Sequence, residues 1–123
     1  LSDFHKLFSS EVSEYWKSRY VFDKESRLKS KKLSKSFVNL LVINVVIPMS
    51  FLYSKQRGEN NVDYLIELLL QIPSETNNIV DKFEFYKLKS NSAFDSQTLI
   101  HLKNHYCNHK RCLNCDIGLS LLK

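Results

Sequence analysis

Apolar positions along this chain follow two distinct patterns. Ser36 to Ser54 reads SFVNLLVINVVIPMSFLYS, an uncharged run with Lys31, Lys32 and Lys35 before it and Lys55 and Arg57 after it. Elsewhere apolar residues recur every three or four positions, the spacing of one helix face. Phe4, Leu7 and Phe8 begin such a stripe, and Val12, Tyr15 and Trp16 extend it after a break at Ser9-Ser10. The expectation for this aromatic stripe is core. Leu65, Leu68, Leu69 and Ile72 form a second face, Ile79, Val80, Phe83 and Tyr86 a third, and Phe94, Leu99 and Leu102, with Ile100 nearby, a fourth.

Local signals bound these helices. Ser2 caps the first, with Asp3 in its first turn, where the helix dipole favours a carboxylate. Gly58 ends the central helix, Asn60 or Asn61 caps the next, and Pro73 stops it. Ser74 is predicted to cap the following helix, making an antiparallel hairpin across PSETNN. Ser92 caps the last long helix, with Asp95 placed for a capping box. Tyr20-Val21-Phe22 has strand composition but is too short to carry a sheet alone.

The uncharged run decides between a membrane span and a core helix. From Phe37 to Tyr53 a helix would measure about 26 Å, at about 1.5 Å per residue. A hydrocarbon core is about 30 Å thick and asks for about 20 apolar residues. Asn39, Asn44, Pro48 and Ser50 interrupt the stretch and oppose insertion. It therefore reads as a core helix rather than a membrane anchor. Pro48 lacks a donor and clashes with the carbonyl of Asn44, so a change of direction is expected between those residues. Val45, Met49 and Leu52 are expected to be buried against the later helices.

With two glycines and two prolines among 123 residues, there is little turn material for a many-stranded fold. The predicted class is all-α, an irregular bundle of about five or six helices around the kinked apolar helix, in one domain spanning 1–123. The chain starts at Leu1 without an initiator methionine, which suggests a C-terminal fragment of a longer protein. No signal-peptide pattern is visible in LSDFHKLF. A net charge of +5 permits nucleic acid as a partner without requiring it. Asp23 to Lys35 is the densest basic segment, holding Lys24, Arg27, Lys29, Lys31, Lys32 and Lys35 against Asp23 and Glu25. It reads either as a solvated linker or as a phosphate-contacting arm.

Site chemistry is confined to HLKNHYCNHKRCLNCDIG, residues 101–118. Cys107, Cys112 and Cys115 are spaced Cys-x4-Cys-x2-Cys, and an odd number of clustered cysteines favours a reducing compartment, the cytoplasm. A zinc site would need four ligands, with His109 as the local fourth. An iron–sulfur cluster would need a fourth cysteine, which this chain lacks. The bland reading, three reduced cysteines packing a tight helical turn, is expected ahead of either metal. His101 and His105 are four apart and face the same way if the helix persists. Lys103, Lys110 and Arg111, with Tyr106, form a second candidate nucleic-acid surface, against ordinary surface charge as the alternative. No catalytic constellation is present.

The runs EYWKSRYVF, LVINVVIPMSFLY, SAFDSQTLIHLKNHYC and KRCLNCDIGLSLL together resemble the C-terminal portion of a Bacteroidetes family, domain of unknown function 2851. The most specific likeness lies in Ser92 to Gly118. The resemblance implies a missing N-terminal portion similar to a metal-dependent PD-(D/E)XK nuclease core, with the catalytic carboxylates and lysine outside this chain. It marks the cysteines and Lys110-Arg111 as motif positions but does not call for His101, His105 or His109. The expected role is thus a non-catalytic helical accessory domain, contacting DNA or RNA and the N-terminal part of its parent, without a membrane. A protein-interaction or self-association module is the alternative, and a metal-binding or redox thiol domain the third.

Overall fold

The computed structural model describes residues 1–122. The protein is mostly helical, with one small two-stranded sheet among the described residues. Counting the continuous run Lys35–Gln56 as one, seven helices occur among the described residues where the apolar pattern predicts about five or six. Two of them, Glu14–Lys17 and Asp116–Leu121, have only four and six residues, too short for the periodicity to separate them from turns. The fold comprises two compact units, Leu1–Asn60 and Asn61–Lys123.

In the first unit, α1 (Ser2–Leu7) packs on α3 (Lys35–Leu41), where His5 Nε2 lies 2.8 Å from Asn39 Oδ1. Helix α2 (Glu14–Lys17) leads into a hairpin of β1 (Arg19–Val21) and β2 (Lys24–Glu25). Asp23 makes its turn at φ 59°, a conformation that Asp tolerates better than most residues. Tyr20-Val21-Phe22 therefore starts a hairpin that its length alone does not reveal. Nothing in the stripe Phe4 to Trp16 is fully buried, and Leu7 is exposed. Those residues instead make edge contacts, with Trp16 lying edge-on to both Tyr15 and Phe22 at 5.0 Å between ring centroids.

The uncharged run forms one helix, Lys35–Gln56, composed of α3, a π turn at Val42–Val46, and α4 (Ile47–Gln56). Ser34 caps it by accepting from the Phe37 N–H. The π turn answers the proline. Pro48 offers no N–H, and the Ile47 N–H bonds the carbonyl of Val42, five residues back. Asn44 Nδ2 donates to the Leu40 carbonyl at 3.0 Å, so the asparagine does support the backbone at the irregularity. The burial expected of this helix is not found. Val38, Val42 and Ile43 are buried, but Val45, Met49 and Leu52 are exposed, Met49 at 62% and Leu52 at 53%. About three turns beyond Val42, the small Ser54 is the buried residue of the helix instead. Across its most apolar 18-residue window the mean hydropathy is 1.8 and 17% is buried, which by length and composition alone suffices to cross a membrane. Gly58, at φ 69°, ends the helix in a Schellman motif, with the Glu59 N–H reaching the Ser54 carbonyl at 2.9 Å.

In the second unit, α5 (Val62–Gln71) and α6 (Asn78–Phe85) each pack on α7 (Ala93–Leu102). Leu65, Leu68, Ile72, Val80 and Ala93 are its buried apolar residues. Pro73 bridges to Ser92, and the Ala93 N–H bonds the Ile72 carbonyl at 2.8 Å. The cap of α6 is Asn77, not Ser74: Asn77 Oδ1 accepts from Ile79 and Val80 N–H groups. Ser74 is engaged elsewhere, its hydroxyl 2.7 Å from that of Ser90. Ser92 and Asp95 form the expected capping box, and the N–H of Asn91, followed by bonds from Ser92, holds the Asp95 carboxyl below the usual carboxylate range. Phe94, expected in the core, is exposed. Ala93 and Ser96 take the deepest positions, and the Ser96 hydroxyl is satisfied by the Ala93 carbonyl and the Glu75 N–H.

Candidate functional site

Net charge divides unevenly between the units. Residues 1–60 hold eleven Lys and Arg against six Asp and Glu, whereas residues 61–123 hold seven of each. The whole excess of +5 thus belongs to the first unit. There the arm after the hairpin folds back, with the Ser26 N–H on the Ser18 carbonyl at 2.7 Å and the Lys29 N–H on the Lys17 carbonyl at 3.2 Å. This return places Lys17, Lys29, Lys31 and Lys32 around one hollow of about 340 Å³, with Glu11, Val12 and Leu28.

The four lysines differ in what holds them. Lys32 pairs with Glu11, whose carboxyl is held below its usual range by that bond, and Lys17 pairs with Glu14, which raises the lysine. Lys31 Nζ donates to the Arg19 carbonyl and lies 3.7 Å from the centroid of the Tyr20 ring. Lys29 is exposed. Tyr20 (63% exposed) and Phe22 (73%) project from the adjacent hairpin. Lys29, Lys31 and Lys32 are thereby brought together as the sequence suggests. The contributions of Lys17, Tyr20 and Phe22 were missed. A strand-like triplet followed by Asp-Lys-Glu was the available signal for the hairpin.

The cysteine segment is built from irregular backbone. Helix α7 runs into a π turn at Lys103–Cys107, and the chain then reverses through Lys110 at φ 53°. There the Arg111 N–H bonds the Tyr106 carbonyl at 3.0 Å and the Lys110 N–H bonds the Cys107 carbonyl at 3.1 Å, the pair of bonds that defines a Schellman end. A 3₁₀ turn, Cys112–Asn114, leads to α8 (Asp116–Leu121). Gly118 sits directly against that turn: a Cβ there would fall 2.2 Å from the Cys112 carbonyl oxygen.

All three cysteines are free thiols and line one cavity of about 210 Å³, walled also by Phe83, Leu88, Leu102, Tyr106 and Leu121. Among the described residues, no group of three or more His, Cys, Asp or Glu stands where it could hold a metal ion. The thiols thus share a cavity without forming a coordination sphere, and His109 is exposed. His101 and His105 stack, with ring centroids 4.3 Å apart. Lys103 bonds Asn108 Oδ1 at 2.6 Å, Lys110 is exposed in the turn, and Arg111 lines the thiol cavity. Gly118 and the strained Lys110 escape a sequence reading, because only the packed turn reveals what surrounds them.

Comparison with known proteins gives one result. Residues 1–78 match the model of a family described as Protein of unknown function (DUF2851), and the chain belongs to that family. The matched span contains EYWKSRYVF and LVINVVIPMSFLY; the two runs around the cysteines lie beyond it. No curated protein and no solved structure matches the chain.

Proposed function

We propose that this DUF2851 chain is a non-catalytic binding domain whose residues 1–60 contact single-stranded nucleic acid. One observation carries the reading: Lys17, Lys29, Lys31 and Lys32 surround a single hollow, with Lys31 over the exposed ring of Tyr20 and the ring of Phe22 exposed on the same hairpin. Lysines attract the phosphate backbone, and exposed aromatics give the bases a stacking surface. Lys103, Lys110 and Arg111 are secondary contacts in this reading. Its setting is the reducing cytoplasm, which suits three free thiols.

The test is fluorescence anisotropy of the full chain with labelled oligonucleotides across salt concentrations. Four phosphate contacts on a single strand predict a log–log salt slope of about −3, hence about 50-fold weaker binding at 200 mM than at 50 mM salt. Lys29→Ala with Lys31→Ala flattens the slope, and Phe22→Ala weakens binding at every salt by about 1 kcal/mol or more. Absence of binding, or affinity indifferent to salt, refutes the reading.

A second reading, a self-association or protein-interaction module, is favoured by the exposed apolar side of Lys35–Gln56, where Phe37, Leu40, Val45, Met49 and Leu52 are uncovered. Light scattering without nucleic acid separates it, since it requires a dimer or larger species. Flotation with lipid vesicles tests whether the same helix enters a bilayer instead.

A further inference from the structure

We infer that the uncovered side of the Lys35–Gln56 helix docks on an anionic lipid bilayer, the helix lying in the interfacial plane with the cations of its two ends among the headgroups. This docking uses a different face from the nucleic-acid hollow, so either can fail alone. The uncovered side is continuous. Phe37, Leu40, Val45, Met49 and Leu52, between 42% and 62% exposed, follow one another at intervals of three, five, four and three residues. The interval of five falls on the π turn, where the hydrogen bond also spans five residues, so the break in spacing keeps these side chains on one side. Val38, Val42 and Ser54 are buried away from it.

Charge selects the partner. From Ser26 to Gly58 the chain has seven Lys and Arg and no Asp or Glu. Lys31, Lys32 and Lys35 precede the apolar residues, and Lys55 and Arg57 follow them. Lys32 and Arg57 are paired, with Glu11 and Glu59, whereas Lys35 and Lys55 make no ion pair among the described residues. A second copy laid antiparallel or parallel on this side would set cationic ends against cationic ends, with no acid in the stretch to answer them. A layer of anionic headgroups answers both ends at once and takes up the apolar side chains between them. Tyr53, exposed and with its hydroxyl accepting from Arg57 Nη1 at 3.0 Å, offers the apolar ring and polar tip favoured at the membrane–water boundary.

The fold selects lying over spanning. The helix has 22 residues, about 33 Å at about 1.5 Å per residue, enough to cross a bilayer. Helix α1 packs on its first segment, however, and a spanning helix would carry the exposed Asp3 and Lys6 of α1 into hydrocarbon, where charges are costly. Lying flat, the helix sinks its uncovered side about 5 to 10 Å into the boundary and leaves α1 in water.

The test is flotation of the full chain with vesicles of phosphatidylcholine alone or with about one-third phosphatidylglycerol. Binding to the anionic vesicles is expected to be at least about tenfold tighter than to the neutral ones and to weaken with salt. Lys35→Gln with Lys55→Gln should weaken it about 25-fold, about fivefold for each charge. Met49→Gln with Leu52→Gln should weaken it at least about tenfold, while leaving the circular-dichroism melt unchanged because both positions are exposed. Met49→Trp places a fluorophore on the docking side. After subtraction of the Trp16 signal, it should be quenched more by lipids brominated near the headgroups than by lipids brominated near the chain ends. The proposal is overturned if neither vesicle binds, if both bind equally, if the Met49–Leu52 variant retains full binding, or if quenching is strongest near the chain ends. Light scattering that finds a dimer dissolved by the same Met49–Leu52 variant, and not by anionic vesicles, would give this side to a second copy and overturn it as well.

Discussion

The two units use their apolar residues in opposite ways. The first contains the most hydrophobic stretch of the chain, yet leaves most of it uncovered, with Val38, Val42 and Ile43 as its buried apolar residues. The second has no comparable run, and its shorter helices bury Leu65, Leu68, Ile72, Val80 and Ala93. The difference lies in amphipathicity. Helix α5 alternates apolar and polar sides, so one face can be matched to α7. The Lys35–Gln56 helix is apolar all round, and its small partner α1 covers only a strip. High hydrophobicity therefore marks a surface awaiting cover in one unit, while patterned hydrophobicity marks the core of the other.

The largest expected effect tests that contrast directly. Ile72 is 1% exposed, and Ile72→Ala should destabilise the second unit by about 3 kcal/mol through lost transfer energy and a residual cavity. Leu52→Ala removes as large a side chain from the uncharged helix but should cost the monomer no more than about 0.5 kcal/mol. Urea denaturation at low protein concentration measures both. A Leu52→Ala loss equal to that of Ile72→Ala would show the helix to be covered in solution and would end the comparison.

Gly118→Ala comes next. The added methyl carbon would meet the Cys112 carbonyl oxygen at 2.2 Å, with the Cys112 carbonyl carbon and Cα at 2.9 and 3.0 Å. These are backbone atoms, so no side-chain rotation relieves the clash. A loss of about 2 to 3 kcal/mol is expected, typical of overpacking. It should be accompanied by faster alkylation of Cys112 and Cys115, because the turn must move away from α8. Unchanged thiol reactivity would mean that the contact does not hold the cysteine turn.

The parts of this protein that could be read in advance are the local ones. Helical class, the Ser92–Asp95 capping box, the Gly58 stop and the face of α5 follow from residue type and spacing over a few positions, whereas Tyr86, assigned to the face of α6, lies past its end and is exposed. What could not be read depends on which element meets which. Burial of Val45, Met49 and Leu52 needed a partner face that periodicity cannot supply, and Ser74 lost its capping role to a distant hydroxyl on Ser90. The candidate sites divide in the same way. Lys29, Lys31 and Lys32 are neighbours in sequence, but Lys17 and the hairpin rings join them only through the fold-back of the arm. The Cys-x4-Cys-x2-Cys spacing brings the three thiols close in sequence, and the turn sets all three on the wall of one cavity.

The smallest effect is also the most symmetrical. Gly58 in the first unit and Lys87 in the second occupy equivalent positions in two Schellman ends, at φ 69° and 66°. In the second, the Leu88 N–H reaches the Phe83 carbonyl at 3.0 Å and the Lys87 N–H the Glu84 carbonyl at 2.8 Å. A side chain in this left-handed conformation is disfavoured, and glycine is relieved of that cost at the expense of a more flexible unfolded chain. No atom lies within 4 Å of a Cβ built on Gly58, so Gly58→Ala tests conformation without sterics. It should destabilise by about 0.5 to 1 kcal/mol, and Lys87→Gly should stabilise by a similar amount. Thermal melts of the two variants should therefore shift in opposite directions. If both fell, Lys87 would be making a side-chain contribution larger than its backbone strain, and the second unit would depend on that residue in a way the first does not depend on Gly58.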